Sequence, residues 1–274
     1  MDMSARLFER KTRLGLITVL SLVSIVALFS LPPLPLAAGY HSFADGRTFL
    51  GIPNCFDVLS NIPFMVAGVL GLVWLLHPSS NSSFMFQSER LPYFIFFTGV
   101  TLTGFGSFWY HLDPNDERLP WDLLPMTCCF TAMIGAVFME RISVSAGRTL
   151  LLPLLVLGIA SVAYWYATEA HGHGDYRFYL FVQFYSPALI AVIIALFPSR
   201  YTHTNYLVGA FFLFVLAKLF ELFDSQIYSA TQVISGHTLK HITAGVACYW
   251  ILLMLQRRRP IQPLHGPSPL GRFP

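Results

Sequence analysis

Long apolar segments separated by short polar ones dominate the sequence. A bilayer core needs about 20 consecutive apolar residues per helix, and eight segments reach that length. The loops between them contain helix breakers, as in HPSSNSS and DPNDERLP. The pattern therefore predicts an all-α, multi-pass transmembrane helix bundle, with helices over residues 14–36, 57–77, 91–111, 121–139, 149–168, 178–197, 205–224 and 237–255.

Composition and charge agree with a membrane protein and exclude other classes. The 274 residues are 55% hydrophobic and 11% charged, whereas soluble domains carry about 25% charged residues. The net charge of +3 is small, and the basic residues form no aromatic-interleaved patch, so a nucleic-acid partner is not expected. The four cysteines show neither zinc-knuckle nor disulfide spacing, and we expect Cys128 and Cys129 to pack as small apolar side chains.

Lysine and arginine are distributed unevenly between the two sets of loops. With the N-terminus in the cytoplasm, twelve of them lie inside and three outside, which the positive-inside rule favours. Both termini are then cytoplasmic. Because the short tail carries no evident retrieval signal, we expect a bacterial inner membrane. The first segment fits an uncleaved helix or a cleaved signal sequence; we favour the helix, since its apolar stretch exceeds a usual signal core.

Five polar residues fall at one depth of the predicted bundle. Ser107 and His111 end the third span, Asp122 begins the fourth, and His237 and His241 begin the eighth. Residues four apart share one face of a helix. Ser107 therefore shares a face with His111, and His237 shares a face with His241. Ionisable groups inside a membrane are costly and mark functional sites that face the bundle interior.

Three imidazoles with a carboxylate nearby favour a catalytic zinc site. Such sites use three protein ligands and leave a fourth position for water. HTLKH lacks the glutamate of the H-E-x-x-H motif, so the base has to come from another helix, and Asp122 is the candidate. Ser107 can donate a hydrogen bond to an oxyanion. A single membrane histidine would more often be an interhelical hydrogen-bonding group. Haem fits poorly, because histidines one turn apart cannot occupy opposite axial positions.

Taken together, the motifs GSFWYH, WDLLPM and HTLKH resemble the alkaline ceramidase family of seven-helix membrane hydrolases, remotely related to the adiponectin receptors. The similarity covers residues 50–256 and includes NCFDVLSNIPF, which resembles the family's first core helix. It implies a seven-helix core at 41–256, preceded by a cytoplasmic N-terminus and extra transmembrane helix at 1–40. A disordered cytoplasmic tail is expected at 257–274.

The resemblance also implies an activity. Zinc would be held by His111, His237 and His241, Asp122 would act as general base and then acid, and Ser107 would stabilise the oxyanion. The substrate would be the amide of an N-acyl lipid, ceramide or ceramide-like, that reaches the site from the bilayer. The alternative function is a seven-helix receptor or sensor with structural zinc. A transporter is disfavoured, because corresponding halves of the chain lack glycine- and proline-broken helices.

Calcium stays open as a second cofactor. Asp45, Asn54 and Asp57 could supply oxygen ligands, but the segment lacks the acidic run that the family uses for calcium. We expect Asp57 instead to complement the N-terminus of the second span.

Four further features carry expectations. Lys240, where animal enzymes of the family tend to have an aromatic residue, could bind a lipid phosphate or carboxylate, or extend to the outer interface; we favour the interface. Lys218 and Glu221 are expected to pair within the bundle. Asp224 could accept a hydrogen bond from a ligand imidazole or have a helix-end role. The loop EAHGHGD is expected to be solvated despite His171 and His173.

Overall fold

The computed structural model describes residues 3–261, and within them the chain is entirely helical apart from turns, loops and two isolated bridges. The all-α prediction is confirmed. The α-helices are α1 (Met3–Ser30), α2 (Cys55–Leu59), α3 (Ile62–Leu76), α4 (Arg90–Leu112), α5 (Leu119–Arg141), α6 (Val144–Ala170), α7 (Arg177–Leu196), α8 (Asn205–Leu222), α9 (Asp224–Thr231) and α10 (Gly236–Arg257).

Eight helical segments of residues 3–261 are long and apolar enough to cross a bilayer, in agreement with the eight predicted spans. The first helix ends at Ser30 rather than at residue 36, because two adjacent prolines follow and proline cannot continue the helical hydrogen bonding. The second span is divided between α2 and α3. The seventh ends at Leu222, and α9 begins two residues later.

The helices pack around a large apolar core. Helices α4 and α5 are the most closely associated pair, and α10 packs along both α8 and α3. Helix α1 lies at the periphery: most of its apolar side chains are exposed, and it packs mainly against α7. The predicted tail falls largely on residues 262–274, which lie outside the described part of the chain.

A glycine fixes how closely α4 approaches α5. Pro125 has no N–H, so the Trp121 carbonyl of α5 lacks its usual helical donor. That carbonyl oxygen lies 1.9 Å from where a Cβ on Gly106 would stand. Only glycine leaves room for this contact, which brings the start of α5, including Asp122, against the end of α4.

We expect Gly106→Ala to destabilise the bundle by about 1–3 kcal/mol, because the methyl group would meet backbone rather than a movable side chain. Thermal unfolding in a neutral detergent measures this effect. Gly15→Ala is the matched control, since a Cβ there meets nothing within 4 Å. An unchanged melting temperature for Gly106→Ala would contradict the close approach.

The opposite end of the bundle is held by a buried ion pair and the hydrogen bonds around it. Arg258, 1% exposed, pairs with Glu140 of α5 and donates to the Ser83 carbonyl at 2.9 Å. Tyr93 of α4 donates its hydroxyl to Glu140 at 2.8 Å. These contacts join the ends of α10, α5 and α4, so part of the basic charge at this end of the bundle has a structural role.

Candidate metal centre

Three histidines meet at one end of the bundle. His111 is the penultimate residue of α4, and His237 and His241 lie in the first two turns of α10. All three are buried, with exposed fractions of 0%, 7% and 3% respectively. The structure therefore brings together the three histidines that the sequence singles out.

The ring nitrogens are arranged as a metal site requires. One nitrogen from each histidine lies within 4.8 Å of the others, and Nε2 of His237 is 3.2 Å from Nε2 of His111. In a tetrahedral site with bonds of about 2.1 Å, ligand nitrogens lie about 3.4 Å apart. The donor set thus fits a metal ion held by imidazoles.

A hydrogen-bond chain fixes the tautomer of His241. Ser60 donates its hydroxyl to the Asp57 carbonyl at 2.9 Å, so its oxygen is free to accept from His241 Nδ1, 2.8 Å away. With the proton on Nδ1, Nε2 of His241 is left as a bare ligand. Partners of this kind orient metal-binding imidazoles and raise their basicity. The sequence does not reveal this role of Ser60, although Ser60 lies within the NCFDVLSNIPF motif.

Replacing Ser60 with alanine is expected to weaken metal binding by about 10–100-fold, because His241 would lose the acceptor that fixes its ring. Competition for Zn²⁺ against a chromophoric chelator measures the affinity. Ser24→Ala, which removes a partly exposed serine of α1 that bonds only its own helix, should bind as the parent does. Equal affinities for the two variants would remove Ser60 from the site.

The N-terminus of α10 is anchored by Asp224. Its carboxylate accepts the backbone N–H of His237 at 2.7 Å and that of Ala44 at 3.0 Å. The helix-end role expected as one alternative for Asp224 is therefore observed, and the imidazole hydrogen bond is not. Asp57 lies in the first turn of α2, as expected. Its carboxylate also accepts from the hydroxyl of Thr238 at 2.6 Å and so ties α2 to α10.

A loop before α2 covers the histidines. The Phe43 ring centroid lies 4.6 Å from that of His111 and 4.3 Å from that of His237. His41 holds the loop in place through Tyr110 at 2.8 Å and Asp116 at 2.9 Å. The sequence does not predict these contacts, because nothing in the local pattern links the loop to segments more than about 65 residues away.

Two cavities meet at the centre. The apolar cavity, about 340 Å³, is lined by Ser107, Asp122, Lys240 and His241 at one end and by aromatic and aliphatic side chains of α4, α5, α7, α8 and α10 beyond them. The polar cavity, about 430 Å³, is lined by Ser42, Tyr110 and His237 among others. It shares Tyr40, Asp122, Glu221 and Lys240 with the first. Ser107 Oγ is buried without a partner among the described residues.

The charged side chains at the junction form a row. Glu221 accepts from Lys218 at 2.5 Å through one oxygen and from Lys240 at 3.2 Å through the other. The expected pairing of Lys218 with Glu221 is confirmed. The favoured expectation for Lys240 is wrong: its side chain, 17% exposed, points into the cavities and lies 3.1 Å from His237 Nε2.

No protein-family model matches the chain, and no curated protein matches it. The functional assignment therefore depends on the residues of the site.

The residues considered for calcium form hydrogen bonds with other groups of the protein. Asp45 is held by the Arg47 guanidinium at 2.6 and 2.7 Å, and this hydrogen bonding keeps the pKa of Asp45 below its usual value. The Asn54 amide donates to the His111 carbonyl at 2.9 Å, and Asp57 accepts from α10. Each group is engaged with a different partner. The EAHGHGD loop is solvated as expected, with His171 and His173 exposed.

Proposed function

We propose that the protein is a zinc-dependent membrane hydrolase that cleaves the amide bond of an N-acyl lipid. The observation that carries the proposal is the position of the buried three-histidine cluster, from which His241 lines an apolar cavity together with Asp122 and Ser107. The metal ligand His241, the Asp122 carboxylate and the Ser107 hydroxyl thus lie together at the end of the cavity, where the amide of a lipid could be held.

His111, His237 and His241 would hold the zinc. When bound, zinc supplies an activated water at neutral pH and polarises the substrate carbonyl. The Asp122 carboxylate takes a proton during attack on the carbonyl carbon and returns it to the departing amine. The Ser107 hydroxyl, which has no partner among the described residues, donates to the developing oxyanion.

The shape of the apolar cavity supports a lipid substrate. Along α10 its lining runs from His241 to Ile251, which at 1.5 Å per residue is about 15 Å. Helices α7 and α8 both line the cavity and touch each other only sparsely. An acyl chain can therefore enter between them from the bilayer and lie in the cavity without contacting water.

Other features bear on the alternative function and the location. A structural zinc usually has four protein ligands, whereas the cluster found within residues 3–261 has three. This favours the hydrolase over a receptor or sensor with structural zinc. The uneven distribution of basic residues supports the proposal that both termini are cytoplasmic. The centre would then lie towards the outer side of what we expect to be a bacterial inner membrane.

The test uses the purified full chain in a neutral detergent. Bound metal is quantified by mass spectrometry, and fatty-acid release is followed from a panel of N-acyl lipids that includes ceramide. We expect one zinc per chain and release from at least one amide. Full zinc occupancy without turnover of any member, and without any lipid change on expression in cells, would favour the receptor or sensor.

A further inference from the structure

The row formed by Lys218, Glu221 and Lys240 carries more positive than negative charge. Both oxygens of the Glu221 carboxylate are occupied, one by each lysine, so two ammonium groups share a single carboxylate. All three side chains line the apolar cavity. Unpaired cations at membrane depth are expensive, and an anion that completes the row would be strongly favoured.

The other acidic groups nearby do not neutralise the site once a metal ion is bound. Asp224 accepts two backbone N–H groups, from Ala44 and His237. Asp122 lines the same cavity without forming a salt bridge to either lysine, and its carboxylate offsets only one positive charge. A bound metal ion would add further positive charge and would also take the His237 nitrogen that now lies beside Lys240. The site is therefore prepared for a ligand with negative charge.

The position of Lys240 specifies where on the ligand that charge lies. Its Nζ is 3.1 Å from His237 Nε2, so an anion bound to it is only a few bonds from a carbonyl at the metal centre. Lys240 also lines both cavities. The apolar cavity accommodates the acyl chain, which leaves the polar cavity, with its tyrosine and serine hydroxyls, for the amine side of the amide.

We infer that the substrate carries a carboxylate on the carbon next to the amide nitrogen, as in an N-acyl amino acid, and that Lys240 binds it. This inference rests on the proposed function. Hydrolysis would add water across the C–N bond: its oxygen joins the acyl carbon, giving a fatty acid, and its hydrogen goes to the nitrogen, giving a free amino acid. No oxidant or other co-reactant is needed.

Binding in a neutral detergent tests the inference with three probes of equal chain length. N-Lauroylglycine carries the carboxylate on the amine side, N-lauroylethanolamine replaces that carboxylate with a hydroxyl, and dodecanoate carries a carboxylate only at the acyl end. We expect the zinc-loaded Asp122→Asn variant, which keeps the metal without turning the amides over, to bind N-lauroylglycine about tenfold more tightly than N-lauroylethanolamine, as one charge-assisted hydrogen bond supplies. Isothermal titration gives the dissociation constants.

Variants of the row make opposite changes to this preference. Lys240→Met leaves the Lys218–Glu221 pair neutral and should reduce the affinity ratio to about one. Glu221→Gln frees both lysines and should increase it, an effect that a merely structural role would not produce. Arg118→Gln removes a cation that stacks on Trp109 outside the cavities and should keep the ratio. If Lys240→Met does not fold, Lys240→Gln and Glu221→Gln provide the same comparison.

The outcomes separate this inference from the proposed function. Equal binding of the glycine and ethanolamine probes, or a preference that survives the loss of Lys240, would overturn the inference. Dodecanoate binding as tightly as N-lauroylglycine through Lys240 would also overturn it, because the anion would then be that of the fatty-acid product. A Lys240-dependent preference without hydrolysis of any amide would support the anion site and reject the hydrolase. Equal hydrolysis of the glycine and ethanolamine amides would support the hydrolase and reject the anion site.

Discussion

Asp122→Asn is expected to lower amide hydrolysis by about 10²–10⁴-fold, the usual contribution of a positioned general acid–base. The metal content should be unchanged. The amide of asparagine has nearly the size of the carboxylate but cannot take a proton from water at neutral pH. Asp122 is 7% exposed and lines both cavities, yet it is not among the clustered ligands. Turnover and zinc are measured on the same preparation.

Asp113→Asn is the matched control for this change. Asp113 follows α4 at the same end of the bundle, but its side chain is 67% exposed and faces Arg118. Losing that carboxylate should leave both metal content and turnover unaltered. Retained turnover in Asp122→Asn would remove the assigned base, and loss of zinc in that variant would make Asp122 a ligand instead.

The architecture could be predicted because a bilayer imposes a length on every apolar segment. Eight runs of sufficient length define eight spans, and their order restricts the fold to a helix bundle. The errors occurred at helix ends, where local chemistry decides. Adjacent prolines end α1 early, and a turn at Ser60 and Asn61 divides α2 from α3.

The core of the site could also be predicted, since spacing within a helix is a local property. His237 and His241 had to share a face, and Ser107 and His111 likewise. The spacing does not indicate that the ends of α4 and α10 are neighbours; that prediction used the common depth of their polar residues. The structure adds the measured proximity of the ring nitrogens.

The surroundings of the site depend on contacts between distant segments and could not be predicted. Ser60 is 181 residues from His241, and Phe43 lies on a loop whose path no periodicity indicates. Lys240 shows the limit most clearly. A lysine near a membrane boundary ordinarily extends to water. Here Glu221 of the neighbouring helix α8 supplies a counter-ion for Lys240 inside the bundle.

His241→Ala is expected to lower zinc affinity by more than about 100-fold, because loss of a ligand exceeds the 10–100-fold cost of losing only a supporting partner. The remaining two histidines, His111 and His237, would form an incomplete shell. Mass spectrometry of the purified protein should show the metal lost, and hydrolysis should fall with it.

A stability measurement makes the same point independently of activity. Because a ligand that binds only the folded state stabilises it, zinc should raise the melting temperature of the stripped parent protein, and it should not raise that of His241→Ala. His171→Ala, which removes an exposed histidine of the solvated loop, should respond to zinc as the parent does. If zinc stabilised His241→Ala as much as the parent, the ion would have to bind elsewhere, and the proposed hydrolase would lose the centre on which it depends.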